Sequence, residues 1–352
     1  MEGQMAERVF RVAMVGARDI VTRRAKDAPP FRNELILSHL AALETVPNAE
    51  LVAICRKNAA LHTEFQQRWG DRWPGAKLYT DHREMLAKER PDIVGIATPD
   101  TVREEIVLDA VRAGVKGIFL EKPMATSVEE AERIVKACAD AGVPLSVNHA
   151  RRWYPIYSKV RDTVRSGAIG QLSTIVATLG GARAMLFRNG PHLLDLVSYF
   201  AESDPVLASA RLQPGFEHWD RYMGTGGLDA ASEPGADGLI IYRNGVRAHY
   251  CGSKDTLGRF SLHLAGPLGR ITVDDNFAQL ETSDPATKET ITRNLLPPAY
   301  QVQRFAAGWQ ELVDVVEHGG ALVSPGSEAI KTIRIIFAFL RSNRDGSRLV
   351  EV

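Results

Sequence analysis

Residues 117–127 read GIFLEKPMATS. An apolar run, Ile118-Phe119-Leu120, stops abruptly at a carboxylate, an ammonium and a proline. Charged side chains ordinarily stay in solvent. A short apolar run with no polar alternation is what a strand buried on both faces presents. Glu121 and Lys122 therefore follow a strand that has no solvent face of its own, and Pro123 stiffens the exit.

Working outward, the same kind of run recurs at Val9–Gly16, Leu51–Cys55, Ile93–Thr98 and Pro144–Val147. Helical patterns separate these runs. Over Val102–Ala113, Val102, Ile106, Val107, Ala110 and Val111 share one face, and Gly114 supplies the stop. Ser127–Ala141 opens like a capping box, with Glu130 three residues after Ser127. Alternating strands and helices predict a doubly wound α/β domain over residues 1–150.

Residues 151–352 change character. Tyr157–Ser166 reads as a helix, Gln171–Leu179 as a strand, and Pro191–Phe200 as a short amphipathic helix. Asn244-Gly245 lies between alternating runs, a two-residue hairpin signal. Gly266–Gly269 marks a second turn, and Gly224–Gly238 reads as a surface loop. Two helices, Val302–Glu317 and Ser327–Ser342, precede the closing RLVEV. The expectation is an α+β domain with a large open, mostly antiparallel sheet and helices on one face.

The 352 residues suit two domains. Forty-three basic and forty-three acidic side chains cancel, so charge points to neither nucleic acid nor membrane. There is no secretion signal and no apolar run near the ~18 residues of a membrane span, and three scattered cysteines fit a reducing cytoplasm. The nine histidines show no metal-ligand spacing, so no metal is expected.

The first strand runs into AMVGARDIVTRRAKDAPPFRNELILSHLAAL. A dinucleotide fold places glycines at this turn so that the pyrophosphate reaches backbone amides. Only Gly16 is present; Ala17 and Arg18 follow, and the helix restarts near Asn33 or Glu34, about twenty residues late against the compact motif. The segment is a solvated basic loop, or Arg18, Arg23 or Arg24 folds over the cofactor phosphates. The second strand ends in LVAICRKN. Where NAD-binding chains commonly carry a carboxylate for the ribose hydroxyls, this one has Arg56 and Lys57. A guanidinium grips a 2′-phosphate with two parallel bonds. This favours NADP over NAD; the other reading has Arg56 stacked on the adenine.

Five segments in order, IATPD (Ile96–Asp100), AVRAGVKGIFLEKP (Ala110–Pro123), VNHARRWYP (Val147–Pro155), SGAIGQL (Ser166–Leu172) and GPHLLDLVSYF (Gly190–Phe200), make the chain resemble the glucose-fructose oxidoreductase / inositol dehydrogenase / MocA family along nearly its whole length. The resemblance implies an N-terminal Rossmann domain, a substrate-binding and oligomerisation domain over 151–352, and an active site between them. It implies that Lys122 contacts the nicotinamide ribose and the substrate oxygen, where an ammonium stabilises a developing alkoxide, and that the Lys122-Pro123 bond is cis. His192 becomes the acid/base, and Asp195 orients the helix or backbone. Gly16, Ala17, Arg18, Arg56, Lys57, Thr98, Pro99, Glu121 and Lys122 form the expected cofactor set. Asn148, Arg152, Arg188 and His192 form the substrate set, with Arg151, Trp153 and Tyr154 bordering it or packing in the hinge. The family's aspartate four residues before the histidine is Arg188 here, which binds an anionic substrate group, marks a lost tuning of the Lys-His pair, or points into solvent. A homodimer or homotetramer follows by analogy.

Three activities fit these residues: an NAD(P)-dependent oxidoreductase acting on a hydroxyl or keto carbon of a sugar, sugar derivative or cyclitol; a redox-neutral lyase or glycosidase that oxidises transiently with a bound cofactor; and a non-catalytic nucleotide-binding sensor.

Overall fold

The computed structural model describes residues 8–16, 19–24, 38–219, 222, 229–284, 286–297 and 304–352. Along the chain come β1 (Phe10–Gly16), α1 (Asp19–Thr22), α2 (His39–Leu43), β2 (Ala49–Cys55), α3 (Ala60–Trp69), β3 (Lys77–Tyr79), α4 (His82–Glu89), β4 (Ile93–Ala97), α5 (Arg103–Arg112), β5 (Gly117–Leu120), α6 (Val128–Asp140) and β6 (Leu145–Val147). They are followed by α7 (Pro155–Arg165), β7 (Thr174–Gly180), α8 (Gly190–Ala201), β8 (Pro205–Leu212), β9 (Ala236–Tyr242), β10 (Arg247–Ser253), β11 (Phe260–Gly266), β12 (Gly269–Asp274), β13 (Ala278–Ser283) and β14 (Thr290–Asn294). The chain closes with α9 (Arg304–His318), α10 (Gly326–Arg344) and β15 (Val350–Glu351). Among the described residues no helix is long and apolar enough to cross a membrane.

Two compact units result: Met1–Met124 with Glu130–Asn148 and Val302–Gly326, and Ala125–Glu129 with His149–Gln301 and Ser327–Val352. In the first unit six parallel strands lie in the order β3-β2-β1-β4-β5-β6, the order of a dinucleotide-binding fold. β4 and β5 are buried at every residue, as a sheet covered on both faces requires. The five apolar runs read from the sequence are β1, β2, β4, β5 and β6. The edge strand β3, only three residues long and half exposed, carries too little apolar signal to be read.

The sequence reading assigned everything after residue 150 to the second domain, yet the chain returns to the first unit through Val302–Gly326. The cause is α9. Trp309 stacks on Phe119 of β5 at 4.7 Å and makes an edge contact with His39 of α2. Gly95 permits this: a Cβ there would lie 2.2 Å from Met14 Sδ and 2.8 Å from the Trp309 ring.

The second unit holds a nine-stranded sheet, β14-β13-β12-β11-β7-β10-β9-β8-β15. Its pairings are antiparallel except that of β7 with β10. Along β10, Ala248, Tyr250 and Gly252 are buried and Arg247, His249 and Cys251 exposed. The Phe339 ring of α10 reaches Tyr250 on the buried face. The Asn244-Gly245 turn is longer than its two-residue signal. Ile241 pairs with Arg247, Tyr242 N–H reaches Val246 O at 2.9 Å, and only Gly245 takes positive φ (88°). A three-residue loop with one left-handed glycine is the next commonest hairpin solution. The Gly266–Gly269 turn has two central residues, Pro267 and Leu268. Gly224–Gly238 is not wholly surface loop: β9 starts at Ala236, and buried Glu233 accepts from Phe187 N–H at 3.0 Å.

Candidate active site

β1 delivers Gly16 at φ +144°, where a Cβ would sit 2.6 Å from the Ala97 carbonyl oxygen of β4. A side chain here would collide with the backbone of β4, so only glycine lets the two central strands end this close together. Ala17 and Arg18 lie outside the described residues, as does the helix start expected at Asn33–Glu34. The chain is helical again from His39, capped by Ser38, whose Oγ accepts from Ala41 N–H at 3.2 Å. Arg24 is committed elsewhere, 3.1 Å from Asp71 and stacked 4.5 Å over Trp69.

β4 leads to Thr98 and exposed Pro99. The Thr98 carbonyl accepts from Arg103 Nε at 3.2 Å and Nη2 at 2.8 Å, while Arg103 Nη1 donates to the Pro123 carbonyl. Arg103, buried at the start of α5, thereby ties the loop after β4 to the loop after β5. Thr98 Oγ1 is buried and has no hydrogen-bond partner among the described residues. The close backbone approach at Gly16 and this orphaned hydroxyl both fit a dinucleotide laid across the carboxyl ends of β1 and β4.

β5 ends in Glu121, Lys122 and Pro123, and the Lys122-Pro123 bond is cis. Glu121 is buried, not displayed. Its Oε1 accepts from His39 Nε2 at 3.1 Å and from Asn148 Nδ2, and its Oε2 from Lys122 N–H at 3.2 Å. Burial alone would raise this carboxyl, but the bonds from His39 and Asn148 and the nearby Lys122 charge hold it down to about 2. The carboxylate fixes the Asn148 amide with its NH₂ turned inward. Asn148 Oδ1, buried and without a partner among the described residues, is left as an acceptor. Lys122 itself is half-buried.

β2 runs out to Arg56, whose guanidinium is enclosed (0% side-chain exposure) with Nη1 3.8 Å from Glu64 Oε2. Lys57, next along, is exposed.

In the second unit, Pro191 opens α8 and His192, half-buried, donates its backbone N–H to Asn189 O at 3.1 Å. Arg188 lies in the tight turn just before, its N–H 3.2 Å from Met185 O. Asp195, one turn further, is buried and accepts from Arg152 Nε at 2.9 Å; His149 Nε2 lies 3.9 Å away. Arg152 is itself buried, with Tyr199 beneath its guanidinium at 5.2 Å. Asp195 thus secures a buried arginine, a role its position alone did not reveal. Arg151 makes a two-point pair with Asp275 at 2.8 and 2.7 Å, and Trp153 and Tyr154 are buried.

Sequence reasoning passed over His39, Trp309, Arg103 and Glu64. A histidine within the apolar stretch ELILSHLAAL was the available signal for the first, because a buried imidazole needs partners. The other three follow only from which elements meet.

The comparisons with known proteins agree with this fold. Residues 10–149 match the sequence model described as "Oxidoreductase family, NAD-binding Rossmann fold". D-apiose dehydrogenase of Paraburkholderia graminis is 26% identical over 343 residues, covering 90% of this chain and 86% of that protein. The NADP(+)-dependent scyllo-inositol 2-dehydrogenase of Bacillus subtilis is 23% identical, covering 78% and 82%. An Agrobacterium radiobacter oxidoreductase, solved with NAD+, L-tartaric acid and magnesium, superposes with a TM-score of 0.74 at 21% identity, covering 97% of this chain and 98% of that one. The match over residues 10–149 makes this an oxidoreductase with an NAD-binding Rossmann domain, and the chain as a whole is similar to these sugar and cyclitol dehydrogenases.

Proposed function

We propose that this oxidoreductase acts on a hydroxyl or keto carbon of a polyhydroxylated small molecule, a sugar, sugar derivative or cyclitol, with NADP preferred. A bound nicotinamide supplies or accepts the hydride. The ammonium of Lys122 stabilises negative charge on the substrate oxygen, and the imidazole of His192 takes or returns the hydroxyl proton, worth ~10² to 10⁴ in rate. Asn148 Oδ1 accepts a hydrogen bond from a hydroxyl or amide group, and Arg188 takes an anionic group on the substrate. The observation that carries the reading is the strand end at Glu121-Lys122: a buried carboxylate anchored from three sides, whose last anchor is the backbone N–H of Lys122 itself. An otherwise expendable surface lysine needs no such anchoring.

The substrate class is supported by relatives named for apiose and scyllo-inositol and by a reductase of a dideoxyglucose nucleotide. The NADP preference rests on Arg56 and Lys57 after β2 and is supported by the relative named for NADP(+). By analogy with the family, two or four copies associate through the open face of the nine-stranded sheet. Reduced-cofactor absorbance on a panel of aldoses, deoxysugars and cyclitols tests the reading. Turnover that follows the substrate supports it, and product formed with no net change in cofactor would make the chain a redox-neutral lyase.

A further inference from the structure

Glu64 is held between two guanidinium groups. On α3 its Oε2 lies 3.8 Å from Arg56 Nη1 and its Oε1 lies 3.1 Å from Arg68 Nη1. The two arginines face different oxygens of one carboxylate. Arg68 belongs to the same helix, one turn on, so its approach to Glu64 is built into α3. Arg56 comes from the end of β2, the strand end at which a dinucleotide fold places the adenosine ribose.

We propose that Glu64 is an internal stand-in for the cofactor's 2′-phosphate, and that Arg56 and Arg68 together form the anion site from which the phosphate displaces it. The inference rests on the NADP reading above and adds to it a second arginine and a competing carboxylate. Charge balance supports it. A guanidinium cannot shed its proton, so enclosed Arg56 needs a counter-charge at all times. Burial disfavours the charged form of Arg56, Glu64 favours it, and Arg68 opposes it. With Glu64 in place the trio carries one net positive charge. A phosphate monoester carries roughly −1.5 to −2 at pH 7 and would meet Glu64 as a like charge. Mobility supports it too. The Glu64 and Arg68 side chains are 32% and 35% exposed, so both can turn to solvent, whereas Arg56 at 0% cannot. Arg56 is then the fixed element of the site, Arg68 the movable clamp and Glu64 the occupant that leaves. NAD, which has no phosphate to offer, leaves Glu64 seated.

The test is affinity, not activity. NADP, NAD and adenosine 2′-monophosphate are titrated calorimetrically against the wild type, Glu64→Gln, Arg68→Gln and Arg56→Ala. Removing the competing carboxylate should tighten NADP and adenosine 2′-monophosphate by roughly five- to tenfold while NAD changes less than twofold. Arg68→Gln should weaken the two phosphate ligands by a similar factor and spare NAD. If Arg56→Ala weakens NADP selectively while Glu64→Gln and Arg68→Gln leave it unchanged, the cofactor preference stands and this inference is wrong. If no variant separates NADP from NAD, both fall. Should Glu64→Gln not fold, Arg68→Gln decides alone: unchanged NADP affinity in that variant overturns the proposal.

Discussion

Trp309 donates its indole N–H to His39 Nδ1 across 3.1 Å, in the interior of the first unit. An indole only donates, so Nδ1 must accept, and the ring proton resides on Nε2, facing Glu121 at 3.1 Å. One hydrogen bond from α9 thereby sets a histidine tautomer. That tautomer supplies a donor to the carboxylate, and the carboxylate orients Asn148 and the backbone of Lys122. Replacing His39 by Leu removes a donor to Glu121 and strands the Trp309 N–H. The expected loss is about 2–5 kcal/mol of unfolding free energy, read by urea denaturation. A loss under ~1 kcal/mol would show that the chain of bonds is incidental.

Glu121 gives the protein a specific acid sensitivity. Its carboxyl is held near 2 in the folded state, against an unfolded value of about 4.3. A depressed folded value stabilises above the unfolded one and is lost as pH falls through the folded one, so this contribution disappears between about pH 4.3 and 2. In Glu121→Gln the amide must also point its NH₂ at the Lys122 N–H. That variant should be less stable than wild type at pH 7, with the gap closing on acidification, as measured by denaturation midpoints at a series of pH values. A gap that stays constant down to pH 2 would refute the assignment.

Gly16→Ala should lose nucleotide binding and stability together. The added methyl meets Ala97 O at 2.6 Å in a backbone conformation that L residues avoid, a strain of roughly 1–3 kcal/mol. The backbone shift that relieves this clash would move the end of β1, where the dinucleotide is proposed to lie. Calorimetric nucleotide titration alongside thermal unfolding checks both effects.

Asp195→Asn leaves buried Arg152 short of its full counter-charge, and a loss of about 3–5 kcal/mol is expected. The paired change of Asp195 to Leu and Arg152 to Met should recover much of it, since no charge is then left buried alone. A double variant as unstable as Asp195→Asn would count against a role that is mainly ion pairing.

The doubly wound half was legible because a parallel sheet covered on both faces writes itself as uninterrupted apolar runs, as at Ile93–Ala97 and Gly117–Leu120. The strand end at Glu121-Lys122 was legible because two charges directly after such a run contradict its burial. What failed was long-range. That α9 belongs to the first unit depends on Trp309 finding space above Gly95, and no local pattern records a missing side chain 214 positions earlier. The Asn244-Gly245 pair announced a turn correctly but not its length, because one glycine serves a two-residue and a three-residue hairpin alike. The resemblance put Glu121 in the cofactor set and Arg152 in the substrate set, but their burial against partners distant in sequence, His39 and Asp195, could not be read from any local pattern.

The most direct measurement is hydride transfer by Lys122→Ala and His192→Ala, followed as reduced-cofactor absorbance on the best substrate of the sugar and cyclitol panel, with nucleotide affinity measured in parallel. The account predicts that both variants bind nucleotide within a few-fold of wild type while turnover falls about 10²- to 10⁴-fold for His192→Ala and at least as far for Lys122→Ala. Wild-type turnover in either folded, nucleotide-binding variant would contradict it.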